Sequence, residues 1–132
     1  MMTAQGAVRR GGTIFWSLLM VASMMLALPA HSSAAEILCD GKTVDIMGTE
    51  GDDDLTGTAG PDVIHGLGGN DLIKGLDGQD TICGGDGADD LRGGDHADRI
   101  FGGKGGDVIY GQRGHDFLFG GQGDDEIYGG DG

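Results

Sequence analysis

One aspartate recurs at every ninth residue through most of the chain, and this spacing is the feature best suited to chemistry. There are nine such residues between positions 53 and 125. A fixed period of carboxylates forms a regular array of oxygen ligands, the donor type that hard divalent cations prefer. The nine are Asp53, Asp62, Asp71, Asp80, Asp89, Asp98, Asp107, Asp116 and Asp125.

The aspartates belong to a nine-residue repeat that runs from Gly48 to Tyr128 without insertion or deletion, and a partial tenth copy ends at Gly132. Position 1 is Gly and position 6 is Asp in all nine copies, and position 8 is always Leu or Ile. Position 4 is Gly in every copy except one, which has His96. A fixed period is typical of repeat folds, whereas a disordered Gly-rich linker has no need to keep one.

The repeat predicts a turn over positions 1–6 and a short strand over positions 7–9, with only the position-8 side chain pointing inward. Two copies form one flattened coil, so copies n and n+2 lie one above the other. The fold class is therefore an all-β solenoid of parallel strands. The predicted inward residues are Leu55, Ile64, Ile73, Ile82, Leu91, Ile100, Ile109, Leu118 and Ile127, and counting back by nine adds Ile46 and Ile37.

This thin apolar column does not offset the entropy of ordering the chain, and the stacked acidic turns repel one another. We therefore expect the metal-free chain to be disordered. Carboxylates of copies n and n+2 would face a common gap lined by glycine carbonyls. Such a flexible, oxygen-only site favours Ca²⁺ over Mg²⁺ and over transition metals. Pairing n with n+2 predicts about seven Ca²⁺, and their positive charge nearly balances residues 36–132, where six Lys and Arg minus 22 Asp and Glu give −16.

The pattern GGxGxD-x-apolar-x, as in GGKGGDVIY at 102–110 and GGQGDDEIY at 120–128, resembles the repeats-in-toxin (RTX), or haemolysin-type, calcium-binding family. The resemblance covers residues 48–132 and implies a parallel β-roll that Ca²⁺ folds. It assigns the nine aspartates as ligands. It also places turn glycines at carbonyl-donating positions, namely Gly66, Gly69, Gly84, Gly85 and Gly87.

The chain departs from this family pattern at two positions of the repeat. Position 2 is Thr, Leu or Gln in copies one to four and eight, and position 4 of copy six is His96. We expect the pattern to be weakest beside Asp98, which follows His96 in the same loop.

Residues 1–35 have the order of a secretory signal peptide. Arg9 and Arg10 precede an uncharged stretch from Thr13 to Leu28, and small residues follow as far as Ala35. We predict cleavage after Ala35, export by the general secretory route, and an extracellular location. The apolar stretch is shorter than the ~20 residues of a membrane span, and no other span is predicted. The domain organisation is a signal peptide at 1–35, an N-terminal cap at 36–47 and the repeat region at 48–132.

Segment 36–47 has two interpretations. It either continues the repeat register or forms a β-hairpin with a tight turn at Asp40-Gly41, and in both cases we expect it to cover the first coil. Cys39 and Cys83 are the only cysteines. Two cysteines in an exported protein suggest one disulfide. Strict register would hold these two far apart, so a bridge requires the hairpin, and both alternatives remain open.

Several functions fit the sequence poorly. The net charge of −14 disfavours binding to nucleic acids and to anionic membranes. The acid pairs Asp89-Asp90 and Asp124-Asp125 could look like catalytic acids, but position 7 points outward while position 6 serves the turn. Residues 36–132 also contain no Ser, so we predict no enzyme. The histidines of the repeat region occupy unrelated positions and predict no zinc site: His65, His96 and His115.

Position 9 becomes aromatic late in the chain. By the parity of the copies, Phe101 and Phe119 share one face and Tyr110 and Tyr128 share the other. These rings form either cross-strand ladders that stabilise the sheets or an exposed patch for a protein or cell-surface partner. The expected function is that of a secreted, non-enzymatic calcium-binding protein with a structural or interaction role. The alternative is the C-terminal repeat region of a larger secreted RTX enzyme or adhesin.

Overall fold

The computed structural model describes residues 37–132, and the predicted signal peptide lies outside this range. The described residues include no helix of the length and apolarity needed to cross a membrane. Twelve strands follow one another along the chain. They are β1 Leu38–Cys39, β2 Lys42–Thr43, β3 Ile46–Met47, β4 Asp54–Thr56, β5 Val63–Gly68, β6 Leu72–Asp77, β7 Thr81–Asp86, β8 Asp90–Asp95, β9 Arg99–Lys104, β10 Val108–Arg113, β11 Phe117–Gln122 and β12 Glu126–Asp131.

Ten of these strands form two parallel sheets. Sheet I has the order β3-β5-β7-β9-β11, and sheet II has the order β4-β6-β8-β10-β12. Each strand pairs with the strand two copies later, so Ile64 lies opposite Ile82 and Ile73 lies opposite Leu91. Two repeats therefore make one coil, and the predicted parallel solenoid is confirmed.

The strands from β5 onward are six residues long, twice the predicted length. Each covers positions 7–9 of one copy and positions 1–3 of the next, as the pairing of Leu67 with Gly85 and of Gly68 with Asp86 shows. The prediction that positions 1–3 belong to the turn is therefore wrong. Glycine-rich backbone at these positions still forms ladder hydrogen bonds, because the coil below repeats its shape.

The core lies between the two sheets. Ile46, Leu55 and Leu118 pack against its edges. Ile127 keeps the register with Ile109 but is 47% exposed, because no later coil of the described residues covers it. The inward prediction is wrong for Ile37, which is exposed just before β1. The fully buried members are the predicted position-8 residues Ile64, Ile73, Ile82, Leu91, Ile100 and Ile109.

Strands β1 and β2 form an antiparallel hairpin, one of the two alternatives for this segment. Its turn residues Asp40 and Gly41 have φ values of 52° and 76°. Positive φ at both central residues is what a two-residue hairpin turn of type I′ requires. The repeat register resumes at Ile46, which pairs with Ile64.

The hairpin lies across the outer face of sheet I, whereas we expected it over the first coil. Cys39 forms a disulfide with Cys83, with a Cα–Cα distance of 5.8 Å. The Lys42 ammonium donates to the Thr81 hydroxyl at 2.8 Å. Both partners on the sheet are outward-facing residues of β7. The hairpin thus leaves the repeat register, as the disulfide requires.

Candidate metal centres

The position-6 aspartates use one carboxylate oxygen to join neighbouring coils. Oδ1 of Asp89 accepts a hydrogen bond from the backbone N–H of Asp71, 18 residues earlier, at 2.9 Å. The same bond recurs at 2.9–3.0 Å for each repeat aspartate from Asp71 to Asp125. Every later coil is therefore held to the one before it by a carboxylate on each edge of the roll.

The other carboxylate oxygen, Oδ2, is buried and has no hydrogen-bond partner in six of the loops. A buried acceptor without a partner is costly, so native proteins rarely keep one without a reason such as a bound ion. Asp125, the aspartate of the last full copy, is not among them. The six are Asp71, Asp80, Asp89, Asp98, Asp107 and Asp116.

Each of these oxygens shares a small space with a backbone carbonyl of the next coil. A β-carbon added at Gly84 would overlap both Oδ2 of Asp89 and the carbonyl oxygen of Gly102. The space exists only because position 1 is glycine. The same arrangement surrounds the other five position-1 glycines of these loops: Gly66, Gly75, Gly93, Gly102 and Gly111.

An anionic oxygen beside a carbonyl oxygen is the start of a Ca²⁺ coordination sphere, since Ca²⁺ takes six to eight oxygen ligands in flexible geometry. Within residues 37–132, no three His, Cys, Asp or Glu side chains come together. The donor set is therefore rich in carbonyls and poor in side chains, and it fits Ca²⁺ better than a transition metal.

Without a cation, burial in these loops disfavours the ionised form of the aspartate carboxylates. Burial is the main cause that raises the pKa of Asp89 to about 6 and of Asp98 to about 7. For Asp98, the N–H bond from Asp80 lowers the pKa, the carboxylates of Asp80 and Asp116 raise it, and His96 lowers it slightly. Burial also raises the pKa of Asp71, Asp80 and Asp107. A bound cation would supply the missing positive charge.

Two kinds of departure from the repeat pattern leave this geometry intact. Leu67, Leu76 and Gln112 at position 2 have φ of 81°, 85° and 79°, in the left-handed region that glycine adopts in other copies. His96 has φ of 87°, and Oδ2 of Asp98 in its loop remains buried and unpartnered. The loop beside Asp98 therefore keeps the shape of its neighbours.

The threonines of copies one and two change the loop, and sequence reasoning missed their role. Thr49 donates its N–H and its hydroxyl to Oδ2 of Asp53, at 2.6 and 2.9 Å. Thr58 does the same to Asp62, at 2.6 and 3.0 Å. Both carboxylates are thus satisfied within their own loops. The available signal was the spacing, a hydroxyl residue four positions before the aspartate.

The predicted glycine ligands fall into two groups. The Gly84 carbonyl faces Oδ2 of Asp71, and the Gly66 carbonyl faces the carboxylate of Asp53. The structure therefore brings these two carbonyls together with repeat aspartates. The carbonyls of the other three point toward a glycine of the next coil: Gly69, Gly85 and Gly87.

A family model described as the RTX calcium-binding nonapeptide repeat, in four copies, matches residues 47–82, 75–109, 84–118 and 103–132. The chain belongs to this RTX family. The matches together cover every repeat aspartate of the roll. The RTX chain is therefore a calcium-binding repeat protein. Its solenoid is a structural fold rather than a catalytic one. Neither the curated proteins nor the solved structures provide a significant match.

The aromatic side chains of the RTX roll lie where their parity predicts. Phe101 pairs with Phe119 on sheet I, with ring centroids 6.4 Å apart, and Phe117 lies 5.8 Å from Phe101. On sheet II, Tyr110 stacks on Tyr128 at 5.0 Å. Each face of the roll thus carries one aromatic cluster.

Proposed function

We propose that this RTX protein is secreted, non-enzymatic and structural, and that its roll folds when it meets extracellular Ca²⁺. The observation that carries the proposal is the set of six buried, unpartnered aspartate oxygens, each beside a backbone carbonyl. Without a cation, each is a costly buried charge, and with one it becomes a ligand. Binding to the folded chain therefore drives folding by mass action.

Two counts of the repeat loops indicate how many Ca²⁺ ions the roll binds. Pairing of copies n and n+2 predicts about seven Ca²⁺, and six loops have the unpartnered oxygen. We propose a dissociation constant of ~10⁻⁴–10⁻³ M, as for other extracellular calcium modules. This range matches extracellular Ca²⁺, so the protein would stay unfolded in a calcium-poor compartment.

Circular dichroism tests calcium-driven folding. We expect a coil-like spectrum in chelator and a strand spectrum in millimolar Ca²⁺. Mg²⁺ at the same concentration serves as control, and we expect it to produce much less strand signal because it demands a smaller octahedral site. A strand spectrum in chelator that Ca²⁺ leaves unchanged would contradict the proposal.

Secretion has a separate test. The protein is expressed with its leader and recovered from the medium, and its N-terminus is sequenced. The proposal predicts Glu36 as the first residue, because the small-residue run ends at Ala35. A cell-bound protein that retains Met1 would contradict it.

We assign the interaction role to the aromatic cluster of sheet I, formed by Phe101, Phe117 and Phe119. Phe117 and Phe119 are 50% and 56% exposed, and such grouped apolar surface favours a protein or cell-surface partner. We expect the unaltered protein to bind when it is added to producing cells, and the double variant Phe117→Ser/Phe119→Ser should lose this retention. Tyr128→Ser on sheet II is the matched control and should keep it. Equal retention of both variants would exclude this surface.

A further inference from the structure

We propose that Thr49 and Thr58 close the first two loops without metal, so that Ca²⁺ binding in this chain begins at the third repeat. This inference rests on the proposed function and sharpens it, since it states which loops take the ion and which residue decides.

The first observation is the set of hydrogen bonds in loop one, by which we mean positions 1–6 of copy one, from Gly48 to Asp53. Oδ2 of Asp53 accepts two donors from Thr49, the backbone N–H and the hydroxyl. The N–H of Gly51 in turn donates to the Thr49 hydroxyl oxygen at 3.2 Å. Polarised N–H and O–H hydrogens thus point at the oxygen that a cation would need, and they repel it. The loop is internally satisfied.

Loop two repeats this network atom for atom. Thr58 donates both groups to Oδ2 of Asp62, and the Gly60 N–H donates to the Thr58 hydroxyl at 3.2 Å. The two loops lie on opposite edges of the roll. The network therefore follows from threonine at position 2 and not from the surroundings of one edge.

The second observation is the backbone at position 2. All six loops with an unpartnered Oδ2 have positive φ there, whereas neither threonine does. A β-branched residue resists the left-handed region, so threonine keeps the ordinary φ and its N–H turns toward the carboxylate. The residues with positive φ at position 2 of those six loops are Leu67, Leu76, Gly85, Gly94, Gly103 and Gln112.

The third observation is strand length. β3 ends at Met47 and β4 ends at Thr56, directly before the two threonine loops. Strands β5 to β12 all continue through position 3 of the next copy. The two threonine loops therefore differ from the others in backbone pairing as well as in side-chain bonds.

A gain of sites tests the inference. Thr49→Gly/Thr58→Gly restores glycine at position 2, and native mass spectrometry in saturating Ca²⁺ counts the ions. We expect two more ions per chain than in the unaltered protein. Leu67→Gly/Leu76→Gly is the matched control, because these residues already have positive φ, and its count should not change. An unchanged count in the threonine variant would overturn the inference.

A second pair of variants covers the case in which the glycine variant does not fold. Asp53→Asn should keep the ion count of the unaltered protein, because Oδ2 of Asp53 is already satisfied. Asp89→Asn should lose at least one ion. Loss of an ion in Asp53→Asn would overturn the inference while leaving the proposed function intact. No Ca²⁺ bound to the unaltered protein would overturn both.

Discussion

At the residue scale, the repeat aspartate performs two tasks with its two oxygens. Oδ1 joins one coil to the previous one, and Oδ2 faces a carbonyl across the space beside a position-1 glycine. Asparagine could accept the first bond, but its amide hydrogens would satisfy the carbonyl and leave no anionic ligand. The contacts between coils therefore depend on two residues of each copy, the position-1 glycine and the position-6 aspartate.

We predict that Gly84→Ala weakens calcium-dependent folding. The methyl group would occupy the space between Oδ2 of Asp89 and the Gly102 carbonyl, and overpacking of this kind costs ~1–3 kcal/mol. Urea unfolding in millimolar Ca²⁺ measures the loss. Gly129→Ala is the control at the same repeat position, because no atom lies within 4 Å of its added β-carbon. Equal stability of the two variants would contradict the predicted site.

We predict that the calcium-free roll is more ordered at pH 5 than at pH 8. Burial raises the pKa of Asp89 to about 6 and of Asp98 to about 7, above the ordinary 3.8. The folded state therefore binds more protons than the unfolded state between about pH 4 and 7, and its stability falls as pH rises through that window. Circular dichroism in calcium-free buffer measures this.

Asp98→Asn provides the control for the pH experiment. It removes the carboxylate with the higher pKa, so the difference in strand signal between pH 5 and pH 8 should shrink. A calcium-free protein whose strand signal rises with pH would have the opposite sign and would contradict the prediction.

At the scale of elements, the last three residues of each six-residue strand are positions 1–3 of the next copy, which also begin the loop of that copy. Position 2 pairs with the neighbouring coil, and its φ is positive in the loops whose Oδ2 has no partner but not in the two threonine loops, whose Oδ2 is satisfied. Within residues 37–132, the hairpin of β1 and β2 is the one element outside this scheme. Its disulfide to Cys83, the Lys42–Thr81 bond and the Asp40–Arg99 ion pair of 2.7 Å attach it to sheet I.

We predict that Cys39→Ala/Cys83→Ala lowers the free energy of unfolding in Ca²⁺ by ~2–4 kcal/mol. The bridge closes a loop between residues 44 apart, so its loss releases entropy to the unfolded chain. Urea unfolding measures the change. Asp40→Asn is the control, because it removes the ion pair but keeps a residue that tolerates positive φ, and a surface ion pair contributes at most ~1 kcal/mol. Equal losses in the two variants would show that the bridge adds nothing of its own.

At the scale of the whole molecule, the roll is a stack in which each coil repeats the contacts of the last. Stability in such a fold is approximately a sum over neighbouring coils. The first coil differs because Oδ2 of each of its loop aspartates is satisfied by a threonine of the same loop. The stability of the later coils depends on the buried Oδ2 atoms that have no hydrogen-bond partner.

We predict that this difference makes calcium removal graded along the chain. At Ca²⁺ concentrations that only partly saturate the protein, hydrogen exchange measured by mass spectrometry should remain slowest in residues 38–65 and become fast in residues 84–128. The reason is that only the later loops lose ligands for their buried carboxylates. Exchange in saturating Ca²⁺ is the reference. Uniform loss of protection along the roll would contradict the prediction.

The nine-residue period was enough to predict the features that every coil of this protein shares. The nine-residue period set the inward column from Ile64 to Ile109, the pairing of copies n and n+2, and the faces that hold Phe101 and Tyr110. It also identified the aspartates that the loops bury. These features can be predicted from the sequence because every coil makes the same contacts. The same residue pattern therefore recurs in more copies than a random sequence would contain.

Contacts that occur once could be identified only in the folded chain. The hairpin docks on sheet I through residues such as Cys39 and Cys83, which no period relates, and Ile37 is left exposed. The sign of φ at Thr49 and Thr58 decided which carboxylates find partners. The sequence of a loop contains its donors and acceptors, but only the folded backbone fixes which way each amide points. That direction decides whether the carboxylate oxygen is satisfied within its own loop.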